Sequence, residues 1–248
     1  MKRFIHYAVL SAVLSTATIL PSFWAQVAAK SAPILVSQNV NFKPPDVTAP
    51  DNRQGATHRG PCPENLDIIP LIPRSNKGLT VAESPTFFAY VSDPAIPVKF
   101  TLQTIEDADA KEVYTTTFKV DKPGIVGVSI PIAGASKKSL EVGKEYRWSF
   151  AGICNPDDPA DASGHYLVSG LVSRIEVPSN LQSNLANPDP MARAIAYANN
   201  GIWYDTISSL AAMRRQAPDN SELTAQWQQL LKSQGLDSIA AQPLLEPL

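Results

Sequence analysis

Between Pro61 and Pro178 the chain is cut into short runs in which apolar or aromatic residues recur at every second position. A run with that period can bury one face only as a β-strand, so this stretch constrains the fold more than any other. Val98, Phe100 and Leu102 alternate with Lys99 and Thr101, while Tyr114, Thr116, Phe118 and Val120 alternate with Thr115, Thr117 and Lys119. Val126, Val128 and Ile130 repeat the pattern after Gly124, and Phe87, Ala89 and Val91 or their even-numbered neighbours supply another run after Pro85. Segments near 67–72, 85–91, 97–103, 112–120, 124–132, 145–154 and 165–177 read as seven strands. With Pro, Gly and Asp between them and no helical period, they predict an antiparallel β-sandwich over 61–178.

The sharpest local signal within that region is Leu140 followed by the turn residue Gly143 and then the strand Tyr146-Arg147-Trp148-Ser149-Phe150. This spacing resembles the tyrosine corner of immunoglobulin-like and fibronectin-type sandwiches, in which the phenol bonds to upstream backbone. The resemblance makes Tyr146 a structural residue. An exposed aromatic strip for ligand binding is the competing reading of the same strand.

After Pro178 the sequence becomes Ala-rich and helix-favouring, and we assign a helical unit to 188–242. Asp189-Pro190 opens a helix carrying Met191, Ala194, Ile195 and Ala198, and Gly201 breaks it. Ile202 to Ala217 forms a second helix with Trp203, Ile207, Leu210 and Met213 on one side; Ser221 is expected to cap a third, with Leu223, Trp227, Leu230 and Leu231, ending before Gly235. Tyr197, Gly201, Trp203, Leu210 and Pro218 stand at the intervals of a tetratricopeptide repeat, and Gly201 to Gly235 is one 34-residue period. Thr206 occupies a place where that pattern prefers Ala, and Ala240 fits the same place in a shortened second unit. So few repeats cannot bury their own faces, and the helices must pack on the sandwich, a second copy or a partner. Trp203, Tyr204 and Trp227 are therefore candidate partner-binding anchors, or else the residues that join the helices to the sandwich.

The start of the chain has Lys2 and Arg3 before an apolar run, Ala8 to Leu14, and a small-residue exit at Val27 and Ala29. These are the parts of a secretory signal, so 1–29 is expected to be removed and no membrane-spanning segment to remain; an uncleaved anchor is the rival reading. Cleavage would take away two of the 21 basic residues and leave 19 against 23 acidic ones, a formal charge of −4. So acidic a surface offers little to nucleic acid or to anionic headgroups. Residues 30–60, with Lys43-Pro44-Pro45-Asp46 and Ala49-Pro50-Asp51, carry no sustained apolar period and read as a disordered linker.

Cys62 and Cys154 are the two cysteines of the chain. In an oxidising compartment they most simply form one disulfide. His58 and His165 lie close enough to them in sequence that a Cys₂His₂ zinc site is the alternative. Asn155, Asp157, Asp158 and Asp161 crowd the following loop; a solvated turn is the default there, with calcium as a weak candidate because the spacing departs from the EF-hand ladder and includes Pro159. Asp157 and Asp158 as a hydrolytic carboxylate pair are disfavoured, since adjacent residues point apart. No Gly-x-Ser-x-Gly, zincin helix or phosphate-cradling glycine loop occurs. No catalytic residue and no cofactor is assigned.

Arg59-Gly60-Pro61-Cys62-Pro63, Leu79-Thr80-Val81-Ala82-Glu83-Ser84-Pro85-Thr86-Phe87-Phe88, Tyr146-Arg147-Trp148 through Cys154-Asn155-Pro156, and Gly201-Ile202-Trp203-Tyr204-Asp205 together resemble an exported cyanobacterial family known only as a domain of unknown function. The resemblance implies an envelope protein, periplasmic or extracellular, in which both cysteines belong to the motif set. It implies no activity. The resulting expectation is an α+β chain, an immunoglobulin- or fibronectin-like sandwich followed by a short tetratricopeptide-like unit. Such a chain would serve as a non-catalytic adaptor for another envelope protein, with a carbohydrate-binding sandwich or a cell-wall hydrolase as alternatives.

Overall fold

Two sheets, mostly antiparallel, and four helices make up the computed structural model, which describes residues 39–45, 62–105, 110–131, 139–155, 157 and 165–248. The signal segment 1–29, His58, Asp158 and Asp161 lie outside the described residues. All described residues belong to one compact unit, Ser37–Leu248.

The strands are β1 (Ile68–Pro70), β2 (Lys77–Thr80), β3 (Thr86–Val91), β4 (Val98–Thr104), β5 (Glu112–Phe118), β6 (Gly124–Ser129), β7 (Glu145–Gly152) and β8 (Tyr166–Arg174). A three-stranded sheet has the order β1-β3-β6, and a five-stranded sheet the order β2-β8-β7-β4-β5. Each of the seven expected strands is present. The eighth, Lys77–Thr80, pairs in parallel with Leu171–Arg174 of β8; its Lys77 forms an ion pair with Glu145 of β7.

Alternation decides which face is inside. Val98, Phe100 and Leu102 are fully buried, and across the register Phe100 meets Phe150 while Leu102 meets Trp148. Phe87 of β3 approaches this layer, its ring centroid 5.2 Å from that of Phe100 and 5.8 Å from that of Trp148, so the inner faces of the two sheets share one core. Tyr146 is buried, and its hydroxyl oxygen accepts a hydrogen bond from the Glu141 backbone N–H at 2.9 Å, the upstream closure that the Leu140–Tyr146 spacing predicts.

The helices are α1 (Ser179–Leu185), α2 (Pro190–Asn199), α3 (Trp203–Gln216) and α4 (Ser221–Ser233), followed by a 3₁₀ turn (Asp237–Ile239). Asp189 caps α2 by accepting from the Met191 N–H at 3.0 Å. Asn220, rather than Ser221, caps α4, accepting from Glu222 and Leu223 at 3.0 and 3.1 Å. One carboxamide oxygen thus satisfies two otherwise orphaned donors. α1 has no counterpart in the sequence reading; it buries Leu181 against Ala196 and Ile202.

Residues 39–45, within the stretch that reads as a linker, lie against these helices. Val40 donates its N–H to Gln226 Oε1 at 2.8 Å, Lys43 donates to the Ala198 carbonyl at 3.1 Å, and Phe42 meets Trp203 edge-on at 5.0 Å. Gly201, at φ +70°, lets the chain turn between α2 and α3 where a Cβ would stand 2.8 Å from the Lys43 carbonyl oxygen.

Cys62 and Cys154 are joined in a disulfide that spans a sequence separation of 92. Constraining so long a loop in the unfolded chain is worth on the order of 4–5 kcal/mol in the chain-entropy model. Replacing both cysteines with Ser is expected to lower the unfolding free energy by several kcal/mol in urea titrations, and an unchanged midpoint would show that the bridge contributes nothing.

Candidate interaction surfaces

Tyr204 stands at the start of α3, and its hydroxyl accepts a hydrogen bond from the Trp148 indole N–H at 2.6 Å while donating to the Leu171 carbonyl at 3.1 Å. Its ring lies 5.2 Å from that of Phe87. One side chain therefore connects α3 with β3, β7 and β8. The approach is possible because β2 offers Gly78, where a Cβ would stand 2.6 Å from the Tyr204 ring. Burial raises the phenol pKa far above its ordinary value, so the hydroxyl keeps its proton and remains a donor.

The neighbouring aromatics are committed in the same way. Trp203 donates its indole N–H to the Leu71 carbonyl at 2.9 Å, and Trp227 packs on Phe88 at 6.4 Å beneath the Arg214 guanidinium, which stands 5.1 Å from the indole centroid. Trp203, Tyr204 and Trp227 are all at most 1% exposed. The structure thus places the three anchor candidates where the helices join the sheets, with no ring offered to solvent.

Asp205 was not singled out by the sequence. In the first turn of α3 its Oδ2 accepts from the Thr80 hydroxyl at 2.8 Å and from the Val81 N–H at 3.2 Å, fastening the helix to the end of β2. Desolvation raises its carboxyl pKa to about 6, a rise that these hydrogen bonds only partly oppose. The motif Leu79-Thr80-Val81 together with Tyr204-Asp205 was the available signal, because a lone acid following two buried aromatics needs donors.

The bridged cysteines leave no thiolate for the zinc alternative. His165 Nε2 is buried without a hydrogen-bond partner. Asp157 is exposed and its N–H donates to Asn155 Oδ1 at 3.3 Å, the geometry of a solvated Asx turn. Among the described residues no three His, Cys, Asp or Glu side chains converge as metal ligands, and no helix is long and apolar enough to cross a membrane.

What stays accessible is the side of the five-stranded sheet away from the core. Thr115, Thr101, Ser149 and Ser169 are direct cross-strand neighbours on β5, β4, β7 and β8, and they form one row of hydroxyls across four strands. β5 is the last strand of that sheet, with Glu112, Thr115 and Thr117 exposed, and among the described residues no strand pairs with its outer edge. A carbohydrate-binding sandwich would need an exposed aromatic row such as Phe88 and Tyr90 on β3; Phe88 is buried and Tyr90 half-buried.

Residues 53–244 match the model of the family described as Domain of Unknown Function (DUF928). The chain belongs to that family. The DUF928 match takes in both cysteines, all eight strands and all four helices. No curated protein matches the chain. Among solved structures, the sensor domain of the anti-sigma factor RsgI4 in Pseudobacteroides cellulosolvens is similar over 46% of this chain and 95% of that one, at 12% identity and a TM-score of 0.28. A score that low carries no argument about this chain.

Two measurements check the junction. Tyr204→Phe leaves the Trp148 N–H unpaired and removes the side-chain donor to the Leu171 carbonyl, which stays in the β2–β8 ladder; the unfolding free energy is expected to fall by about 1–3 kcal/mol. For Asp205, a folded-state pKa of about 6 above the ordinary 3.8 means that the folded chain binds more protons between those values. Stability should therefore fall as pH rises from about 4 to about 6. Asp205→Asn is expected to flatten that slope, as read from urea midpoints across the window.

Proposed function

We propose that this DUF928 protein is an exported, non-catalytic interaction module of the cyanobacterial envelope, periplasmic or extracellular, that binds another envelope protein along the open edge of β5. The carrying observation is that edge: a seven-residue strand with exposed side chains that ends the five-stranded sheet and has, among the described residues, no strand on its outer side. An extended peptide adds to such an edge through main-chain hydrogen bonds and takes specificity from alternate side chains. The helices are the weaker surface, because their large aromatics are spent inside the molecule. Export is supported by the bridged Cys62–Cys154 pair and by the basic-then-apolar first residues.

In the same reading the two sheets are an immunoglobulin- or fibronectin-like sandwich and the helices a shortened tetratricopeptide-like unit. The Tyr146–Glu141 hydrogen bond supports the first and the Tyr197, Gly201, Trp203 and Leu210 spacing the second. A carbohydrate-binding sandwich is favoured by one observation, the row of hydroxyls from Thr115 to Ser169, which matches sugar hydroxyls in kind.

A photo-crosslinking amino acid at Thr115 is expected to capture an envelope protein in native membranes and wall, whereas the same group at the exposed Gln229 of α4 should not. Capture from Gln229 alone would move the interface to the helices. Retention of the protein on isolated wall polysaccharide, abolished by Thr101→Lys, would favour the carbohydrate reading.

A further inference from the structure

We propose that the segment taken up by β5 is an acidic, extended stretch of the partner protein with apolar residues at every second position; this rests on the reading of β5 as the binding edge. The hydrogen bonds of the neighbouring strands fix which backbone groups β5 has on offer. Ile153 donates its N–H to the Pro97 carbonyl at 2.8 Å, and the register continues with Val98 opposite Gly152. Bonded pairs alternate with non-bonded ones in an antiparallel ladder, so Lys99, Thr101 and Gln103 turn their backbone groups to β7 while Val98, Phe100 and Leu102 turn theirs to β5. The Thr104 N–H, donated to the Lys111 carbonyl at 2.9 Å, falls in the second set. Across the register, Tyr114, Thr116 and Phe118 therefore bond to β4. The N–H and C=O groups of Thr115 and Thr117 point the other way, out of the edge of the sheet.

The two faces of this edge ask for different side chains. Thr115 and Thr117 are exposed on the face away from the core. Tyr114 and Phe118 lie on the core side, with ring centroids 6.2 Å from Phe100 and 6.4 Å from Phe150. Phe100 and Phe150 have a strand on either side and are fully buried, whereas Tyr114 and Phe118 are only half-buried. An added strand with apolar residues at alternate positions extends the core past these two rings, as β5 does for β4.

Charge selects the remaining positions. Lys99 stands opposite Thr117 in the register, and Lys111, Lys119 and Lys122 are exposed around the two ends of β5. The exposed acids there are Glu112 and Asp121. A lysine surplus at this edge reverses the balance of the whole chain, which has 21 basic and 23 acidic residues. Carboxylates at the outward positions of the partner strand meet that surplus, and lysines there are repelled by it.

The test titrates the full chain with two fluorescein-labelled seven-residue peptides, one alternating valine with glutamate and the other valine with lysine, read by fluorescence anisotropy. The glutamate peptide is expected to bind saturably and the lysine peptide about tenfold more weakly, with Lys99→Glu and Lys119→Glu together reversing the order. Thr117→Pro removes an outward N–H and no bond of the β4 ladder; it should weaken the glutamate peptide about tenfold while the urea midpoint is retained. If that variant does not fold, the lysine pair decides alone. Equal binding of both peptides, each weakened by Thr117→Pro, would overturn the acidic occupant and leave the β5 edge standing. So would a glutamate peptide that does not bind while the crosslinker at Thr115 captures a protein. Peptide binding indifferent to Thr117→Pro and to the lysine pair would overturn the edge as well.

Discussion

The Tyr204 hydroxyl is the constraint on which the rest of the molecule depends. It is a single oxygen in a dry region, and it both satisfies the Trp148 indole and caps the Leu171 carbonyl, two groups on adjacent strands of the five-stranded sheet. Its ring simultaneously packs on Phe87 of the other sheet. A buried donor left unpaired costs more than a made bond contributes, so the position of α3 is dictated as much by what the Trp148 indole requires as by apolar contact. Once α3 is held there, Trp203 reaches the Leu71 carbonyl and Asp205 reaches Thr80 and Val81. The helices and sheets then share one continuous core.

That sharing redistributes what is left for recognition. Aromatics that would make strong contact sites on an isolated helical unit are consumed internally, and the accessible features become the sheet margins. Of the four edge strands, β5 and β6 differ most plainly. Among the described residues no strand covers the outer side of β5, whose exposed side chains are polar, whereas β6 is joined to residues 243–248 by three main-chain hydrogen bonds. An unprotected edge is a hazard for any protein, and among the described residues this chain closes one edge with its own segment and pairs no strand with the outer side of β5.

Much of this architecture was legible in the residues. Two-residue periods identified seven strands because each has one buried face, and Asp189, Gly201, Pro218 and Gly235 marked the helix limits because their backbone preferences are local. Lys77–Thr80 escaped because it is four residues long and its parallel pairing with β8 leaves no signature in its own sequence. The packing of 39–45 was masked by its prolines; its one signal is the spacing of Val40 and Phe42, too short to distinguish from chance. For the candidate sites, the importance of Trp203, Tyr204 and Trp227 could be read, but whether they face inward depends on Gly78 and Leu71, more than a hundred residues away. The role of Asp205 is likewise long-range, set by Thr80 and Val81.

The disulfide divides the molecule in a way the sheets do not. Its covalent ring runs from Cys62 to Cys154 and encloses β1 through β7, while β8 and α1 to α4 lie beyond it. Yet β8 sits between β2 and β7, in the interior of the larger sheet. A protease that cuts once inside the ring leaves two pieces still bonded to each other, free to refold as one molecule. A single cut after Cys154 has no such safeguard, and it would release the strand and the helices that hold Trp148 and Phe87 in the dry.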